Sequence, residues 1–287
     1  MPNLGLGSRT LNTTIMAVTM AEITKIRTMT GAGMMDCKNA LIESEGDFDK
    51  AIEIIRKKGQ AVAAKRSDRE ASEGCVLALA NEGFAACIAL KCETDFVAKN
   101  ADFVALTHSI LDAAVAAKCT SLDEVKALNM NGRTIEEIVI DRSGITGEKM
   151  QLDYYECVQG GTTSAYIHPG NKLSTIVAFV EEGVDYQVAR DVAMQAAAMN
   201  PVSLDRSSVP AKIIATELEV GREKAREEGK PENMLEKIAE GRLNKFFQES
   251  TLLEQTFIKD NKITVAEYLK ANKVTAKDFK RITLNQE

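Results

Sequence analysis

The sequence predicts an α+β protein built from more than one domain, and three observations carry that reading. Apolar residues recur at helical spacing over 18–58 and again over 210–249, and Gly and Pro break the pattern into short helices. Between these regions, apolar runs with glycine turns precede longer helical runs, the pattern of hairpins packed under helices. A chain of 287 residues is long enough to bury more than one core.

In chain order, 18–29 carries Ile23, Ile26 and Met29 on one face, and Gly31 and Gly33 interrupt it. A second helix, 34–45, places Met34, Cys37, Ala40 and Leu41 at helical spacing. Gly46-Asp47 ends it and begins a third, 48–58, which Gly59 stops. Three short helices joined by glycines make a small bundle of the ubiquitin-associated type. Residues 60–72 hold Lys65, Arg66 and Arg69 with no apolar face, and read as a linker or solvated helix. An RNA-contacting arm is the sharper alternative, weakened by the lack of aromatic neighbours.

Two strands, 74–80 and 84–92, flank a hairpin turn at Asn81-Glu82-Gly83, and a helix over 97–118 follows. Strands at 150–159 and 164–181, joined at Gly160-Gly161, precede a helix over 184–199. Hairpin-then-helix therefore occurs twice, as two antiparallel-sheet-plus-helix core subdomains, with two short helices in 121–147 between them. Residues 210–228 and 232–249 are polar helices around Gly229-Lys230-Pro231, an antiparallel helical hairpin too polar to be core and expected to protrude. Ile214, Leu218 and Ala225 would face Leu235, Ile238 and Leu243, with Gly221, Ala239 and Gly241 thinning the seam. Thr264-Val265-Ala266-Glu267 is a capping box opening a helix to Ala271, and 279–284 reads as a closing strand. The expected division is 1–15 disordered extension, 16–59 helical bundle, 60–73 linker, 74–149 and 150–208 core subdomains, 209–250 coiled-coil hairpin, and 251–287 a segment returning to the core.

Composition excludes several classes of function. A net charge of −6 does not suit a protein that coats nucleic acid, and with no tryptophan and 5% aromatics a base-stacking platform is not expected. The six cysteines form no Cys-x-x-Cys pair and stand apart from His108 and His168, so no metal site is expected; free thiols fit a reducing cytoplasm. No apolar run approaches the roughly 20 residues of a membrane span, and 1–15 lacks the apolar centre of a secretory signal. Gly31-Ala32-Gly33 follows a helix and lacks the third glycine of a dinucleotide fingerprint, and no phosphate loop occurs. No cofactor is expected, and any nucleotide in this protein's biology is held by another protein. Ser, Cys and His are too sparse for a catalytic triad, so no enzyme chemistry is expected either.

Two motifs remain. Thr94-Asp95-Phe96-Val97-Ala98-Lys99-Asn100 lies at a strand-to-helix turn, where Thr94 caps the helix, Asp95 suits its positive end, and Phe96 either packs inward or projects as a wedge. About sixty residues upstream stands Thr30-Gly31-Ala32-Gly33-Met34-Met35-Asp36-Cys37-Lys38-Asn39-Ala40-Leu41. The pair, in this order, closely resembles the translation elongation factor Ts family, from Met16 to the C-terminus; Met16 or Met20 is then an alternative start.

The resemblance implies a guanine-nucleotide exchange factor in translation elongation, with elongation factor Tu as its partner. It implies that Thr94, Asp95, Phe96 and Val97 dislodge Mg²⁺ from that GTPase and that Met34, Met35, His168 and Gly170 contact it. Taken alone, the methionines are core filler and His168 a turn residue. The family usually has Gly directly after this histidine; here Pro169 precedes Gly170, so the loop's shape is in doubt. The resemblance leaves open a one-to-one complex or a dimeric two-by-two assembly, and no direct nucleic-acid contact is expected.

Overall fold

A computed structural model of the chain describes residues 18–285, which divide into two compact units. The expected extension at 1–15 lies outside the described residues. Among these residues no helix is long and apolar enough to cross a membrane, and no group of three or more His, Cys, Asp or Glu is placed to hold a metal.

The first unit comprises residues 18–68 together with Ile140–Glu148. Its helices are α1 (Met20–Thr30), α2 (Met34–Glu43) and α3 (Phe48–Lys65). Thr19 and Glu22 form a capping box at the start of α1, and Gly31 ends it at φ 71, where the backbone is left-handed and a side chain would be strained. Asp47 caps α3 by accepting from the Lys50 N–H at 3.1 Å. Ile23, Ile26, Cys37, Ala40, Leu41 and Ala51 fill the small interior. The expected stop at Gly59 does not occur: α3 runs on to Lys65, and Gly59 is buried inside it. A Cβ built on Gly144 would lie 2.0 Å from the Gly59 Cα. The glycine is there for close backbone approach, and tertiary contact overrides its helix-breaking tendency.

The second unit, Arg69–Val139 and 149–285, starts with β1 (Glu73–Asn81), β2 (Phe84–Cys92), α4 (Asp95–Ala98) and α5 (Ala101–Ala116). Next come α6 (Leu122–Ala127), a two-residue ladder of β3 (Asn129–Met130) with β4 (Arg133–Thr134), and α7 (Ile135–Thr146), whose second half groups with the first unit. Then follow β5 (Gln151–Gln159), β6 (Thr162–Ile167), β7 (Leu173–Phe179) and α8 (Tyr186–Met199). The chain ends with α9 (Ala211–Glu227), α10 (Leu235–Ser250), β8 (Thr256–Phe257), β9 (Asp260–Thr264), α11 (Val265–Ala271) and β10 (Ala276–Thr283).

Two antiparallel three-stranded sheets, β1-β2-β5 and β10-β7-β6, stack face to face with a helix outside each. The strand period explains the layering. In β2, Phe84, Ala86, Ile88 and Leu90 turn toward α5, where they meet Phe103, Ile110 and Leu111. Ala85, Cys87 and Ala89 turn the other way, toward Ile176, Ala178 and Ile282 of the second sheet. Beyond that sheet, Val177 and Phe179 meet Val192 and Ala196 of α8. A central strand covered on both faces has no solvent-facing side, which is why β2 and β7 are buried almost throughout; the two hydroxyls in β7, Ser174 and Thr175, donate to the Leu77 and Ala193 carbonyls. Alanine and cysteine between the sheets keep that layer thin.

The expected second hairpin is redrawn. β5 pairs with β2, from Phe84↔Gln159 to Lys91↔Gln151, and joins the first sheet. The run 164–181 splits into β6 and β7 around a turn at His168, so the hairpin of the second sheet is β6-β7. The helix expected over 97–118 is likewise two: Asn100 accepts from the Asp102 N–H at 2.9 Å and starts α5 afresh.

The hairpin of α9 and α10 buries Gly221 and Ala225 against Leu235 and Ala239, with a Gly221 Cβ meeting the Ala239 Cα at 3.0 Å. Gly241 does not thin this seam: it is exposed, with nothing within 4 Å of a built Cβ. Arg222 donates to Glu236 and Glu219, Arg226 to Glu232 and Arg242 to Glu228. The C-terminal elements are tied to α8 by Asp191, a buried carboxylate accepting from Gln187, Lys259 and the Tyr268 hydroxyl. Burial, with that carboxylate beside it, pushes the Tyr268 phenol up to about 12.

Five of the six cysteines are buried, and all are free thiols. Burial pushes the Cys75 thiol up to about 11 and Cys87, sealed between the sheets, higher still. Raised thiols hold little reactive thiolate near neutral pH. We expect half-buried Cys157 alone to react with a thiol reagent under native conditions, and all six after unfolding. Native labelling of Cys87 at a comparable rate would show that the two sheets separate.

Candidate functional site

The end of β2 and the start of α4 build the exposed part of the second unit that carries Phe96. Glu73 of β1 pairs with Cys92 across the sheet, which fixes where the strand ends. The Cys92 thiol donates to the Thr94 carbonyl at 3.2 Å, and the Lys149 N–H donates to the Glu93 carboxylate at 2.6 Å. Thr94 caps the single turn of α4, its hydroxyl accepting a long 3.5 Å bond from the Val97 N–H. Val97 packs on the core and Ala98 is buried, so their turn is anchored from below. Phe96 points away from that anchor and is 85% exposed. Burying such a ring is worth about 1.5–3 kcal/mol, and within the isolated chain almost none of that is realised.

Asp95 braces the same turn. Its carboxylate accepts from Lys99 at 2.6 Å, one turn ahead. That hydrogen bond, with the fields of Lys99 and Lys172 added, holds the Asp95 carboxyl below the usual carboxylate range. A lowered carboxyl keeps its bridge above that range and loses it as pH falls through the lowered value, so the brace is complete near neutral pH.

Lys172 belongs to the turn between β6 and β7, which carries His168 and Gly170. The turn closes with the His168 N–H donating to the Leu173 carbonyl at 2.8 Å and the Asn171 N–H to the His168 carbonyl at 3.1 Å. Gly170 at φ 92 and Asn171 at φ 53 make the left-handed reversal that Pro169 cannot. Lys172 pairs with Glu73 at 2.7 Å and the Asn171 carbonyl accepts from the Val76 N–H, so this turn is docked on β1 beside the strand end that carries Thr94. His168, Pro169 and Gly170 are exposed. The Tyr166 hydroxyl lies 3.0 Å from His168 Nδ1.

The fold thus brings Thr94, Asp95, Phe96 and Val97 near His168 and Gly170 within one unit. Met34 and Met35 lie in the other, on the first turn of α2, which Gly33 opens without a side-chain cap. Met35 is 64% exposed and Met34 is exposed as well, whereas Cys37, Ala40 and Leu41 of the same helix are buried. Gly31 and Gly33 are helix ends. Sequence reasoning missed Lys99, Lys172, Glu73 and Tyr166 as partners of this surface. The spacing of Asp95 and Lys99 on a helix was a readable signal for one of them; the others depend on strand pairing.

The family model described as Elongation factor TS matches residues 93–286, a span that includes both the Phe96 turn and the His168 turn. A protein of Porphyromonas gingivalis named Elongation factor Ts is 57% identical over 275 residues, covering 95% of this chain and all of its own length. Those of Azobacteroides pseudotrichonymphae and Bacteroides thetaiotaomicron, of the same name, are 54% identical over 274 residues and 50% over 331, with the same coverage. With the family model matching more than half of the chain and relatives this similar along nearly all of it, the chain belongs to the elongation factor Ts family.

Proposed function

We propose that the protein is a guanine-nucleotide exchange factor in translation elongation, acting on elongation factor Tu charged with GDP. The observation that carries this reading is Phe96, a large aromatic ring held almost fully in solvent on a braced turn. In the proposed mechanism, Phe96 enters the nucleotide-binding domain of the GTPase with Thr94, Asp95 and Val97 around it. The surroundings of the bound Mg²⁺ are disturbed, the ion is lost, and the diphosphate loses its main counter-charge. GDP leaves and GTP enters. Met34 and Met35 offer an adaptable apolar contact, and His168 and Gly170 a second contact beside the wedge.

The domain reading goes with it: a ubiquitin-associated-like bundle, two sheet-plus-helix core subdomains and a protruding coiled-coil hairpin, each giving the partner a separate surface. A broad interface is required energetically. One buried phenylalanine supplies about 1.5–3 kcal/mol, while loosening a nucleotide by ~10⁴ takes about 5.5 kcal/mol of differential affinity. Linkage makes the effect mutual, so GDP weakens this protein's grip on the GTPase by the same factor. Nothing in this scheme asks the chain for proton transfer or a covalent step.

The test is stopped-flow release of a fluorescent GDP from the cognate elongation factor Tu, with and without this protein. Acceleration that saturates with concentration is expected. Stable binding without acceleration would make the protein a holding module instead.

A further inference from the structure

His168 belongs to a chain of side chains that its role as a turn residue does not need. The Tyr166 hydroxyl lies 3.0 Å from its Nδ1, with the rings 6.0 Å apart and inclined at 60°. The Arg190 guanidinium sits 5.5 Å from the centre of the Tyr166 ring. Arg190 in turn donates to the Tyr186 hydroxyl at 3.3 Å, and Tyr186, on the first turn of α8, is 71% exposed. Tyr166 itself is half-buried and packed on the core of the second sheet. The ladder therefore runs from Tyr186 through Arg190 and the half-buried Tyr166 phenol to an exposed imidazole whose backbone is pinned on both sides of the turn.

This arrangement selects a tautomer. A neutral imidazole has one nitrogen that donates and one that accepts. A cation over the face of the phenol draws electron density from the ring. The phenol is then a better donor and a poorer acceptor, so its hydroxyl donates the hydrogen bond to Nδ1 rather than accepting one. The ring proton is left on Nε2.

We propose that Tyr166, supported by Arg190, is a positioning residue that holds His168 as the Nε2–H tautomer, so that the ring presents a hydrogen-bond donor to a carboxylate or carbonyl oxygen of the partner GTPase. The partner half of this statement rests on the exchange reading above; the tautomer half does not. Freezing the ring before encounter removes the rotational and tautomeric freedom that binding would otherwise have to remove.

The test has two arms. On the free protein, ¹⁵N-detected NMR of the histidine ring, above its titration range, is expected to show the Nε2–H form for His168 and a mixture in Tyr166→Phe. An Nδ1–H form in the parent, or an unchanged spectrum in the variant, overturns the proposal without reference to any partner. The second arm is a binding cycle with nucleotide-free elongation factor Tu. Tyr166→Phe is expected to weaken binding roughly two- to tenfold, the scale of one hydrogen bond, and to have no further effect once His168→Ala is present. Additive losses would mean that Tyr166 acts by another route, and the positioning role falls. If the parent protein fails to accelerate GDP release, the exchange reading fails instead, and the NMR arm still decides what Tyr166 does to His168.

Discussion

Phe96→Ala is expected to slow the GDP release that this protein stimulates by about ten- to a hundredfold, while leaving its own thermal unfolding unchanged. The two halves of that statement have one cause. The ring is 85% exposed, so its removal takes almost no apolar area from the folded chain. On the proposed reading its worth is realised against a partner, where full burial amounts to about 1.5–3 kcal/mol, or one to two decades in rate if the ring is buried in the transition state. Phe96→Leu retains part of the apolar volume and should fall between. Stopped-flow release and a melting curve on the same preparations decide the matter. Exchange at the parental rate removes the wedge, and a lowered melting temperature with lowered exchange would make Phe96 a structural residue after all.

Gly144→Ala is expected to destabilise the first unit although it places a better helix former in α7. The propensity gain is about 1 kcal/mol. Against it stands a built Cβ that meets the Gly59 Cα at 2.0 Å, its N at 3.0 Å and its carbonyl carbon at 3.2 Å. All three are backbone atoms of α3, so no flexible side chain can yield and the segments must separate. Overpacking of this kind costs about 1–3 kcal/mol or more, and it wins. Gly241→Ala is the matched control: it also lies in a helix, nothing surrounds a built Cβ there, and a gain of up to about 1 kcal/mol is expected. All five tyrosines lie in the second unit and there is no tryptophan, so tyrosine fluorescence reports on that unit alone, while far-ultraviolet circular dichroism reports on both. Gly144→Ala should bring forward part of the dichroism transition and leave the fluorescence transition in place. If both move together, the units unfold as one and the local account fails.

Local signals in the sequence are legible wherever local chemistry decides the outcome. The Thr264–Glu267 capping box opens α11 as expected, with the Glu267 N–H on the Thr264 hydroxyl and Glu267 reaching back to the Thr264 N–H. The start of α2 and the Asn81-Glu82-Gly83 turn were equally legible. Local signals mislead where a distant residue decides. Gly59 looks like a helix stop until Gly144 is brought against it. The strand at 150–159 looks like half of a hairpin until β2 claims it, because adjacency in sequence suggests pairing but does not fix it. At the candidate site, the exposure of Phe96 was not legible from spacing: Phe96, Val97 and Ala98 differ in burial because of what lies beneath α4. The Glu73–Lys172 pair that sets the His168 turn beside that helix joins a strand start to a loop almost a hundred residues on, and no local pattern announces it.

The second sheet closes late. Its central strand, β7, is buried from end to end and is held on one edge by β6, its immediate predecessor, but on the other by β10, the last strand of the described chain. While a nascent chain is still being extended through the α9–α10 hairpin, the β10 edge of β7 is left unpaired. Such an edge is a template for association between chains, and it persists for as long as the intervening residues take to emerge.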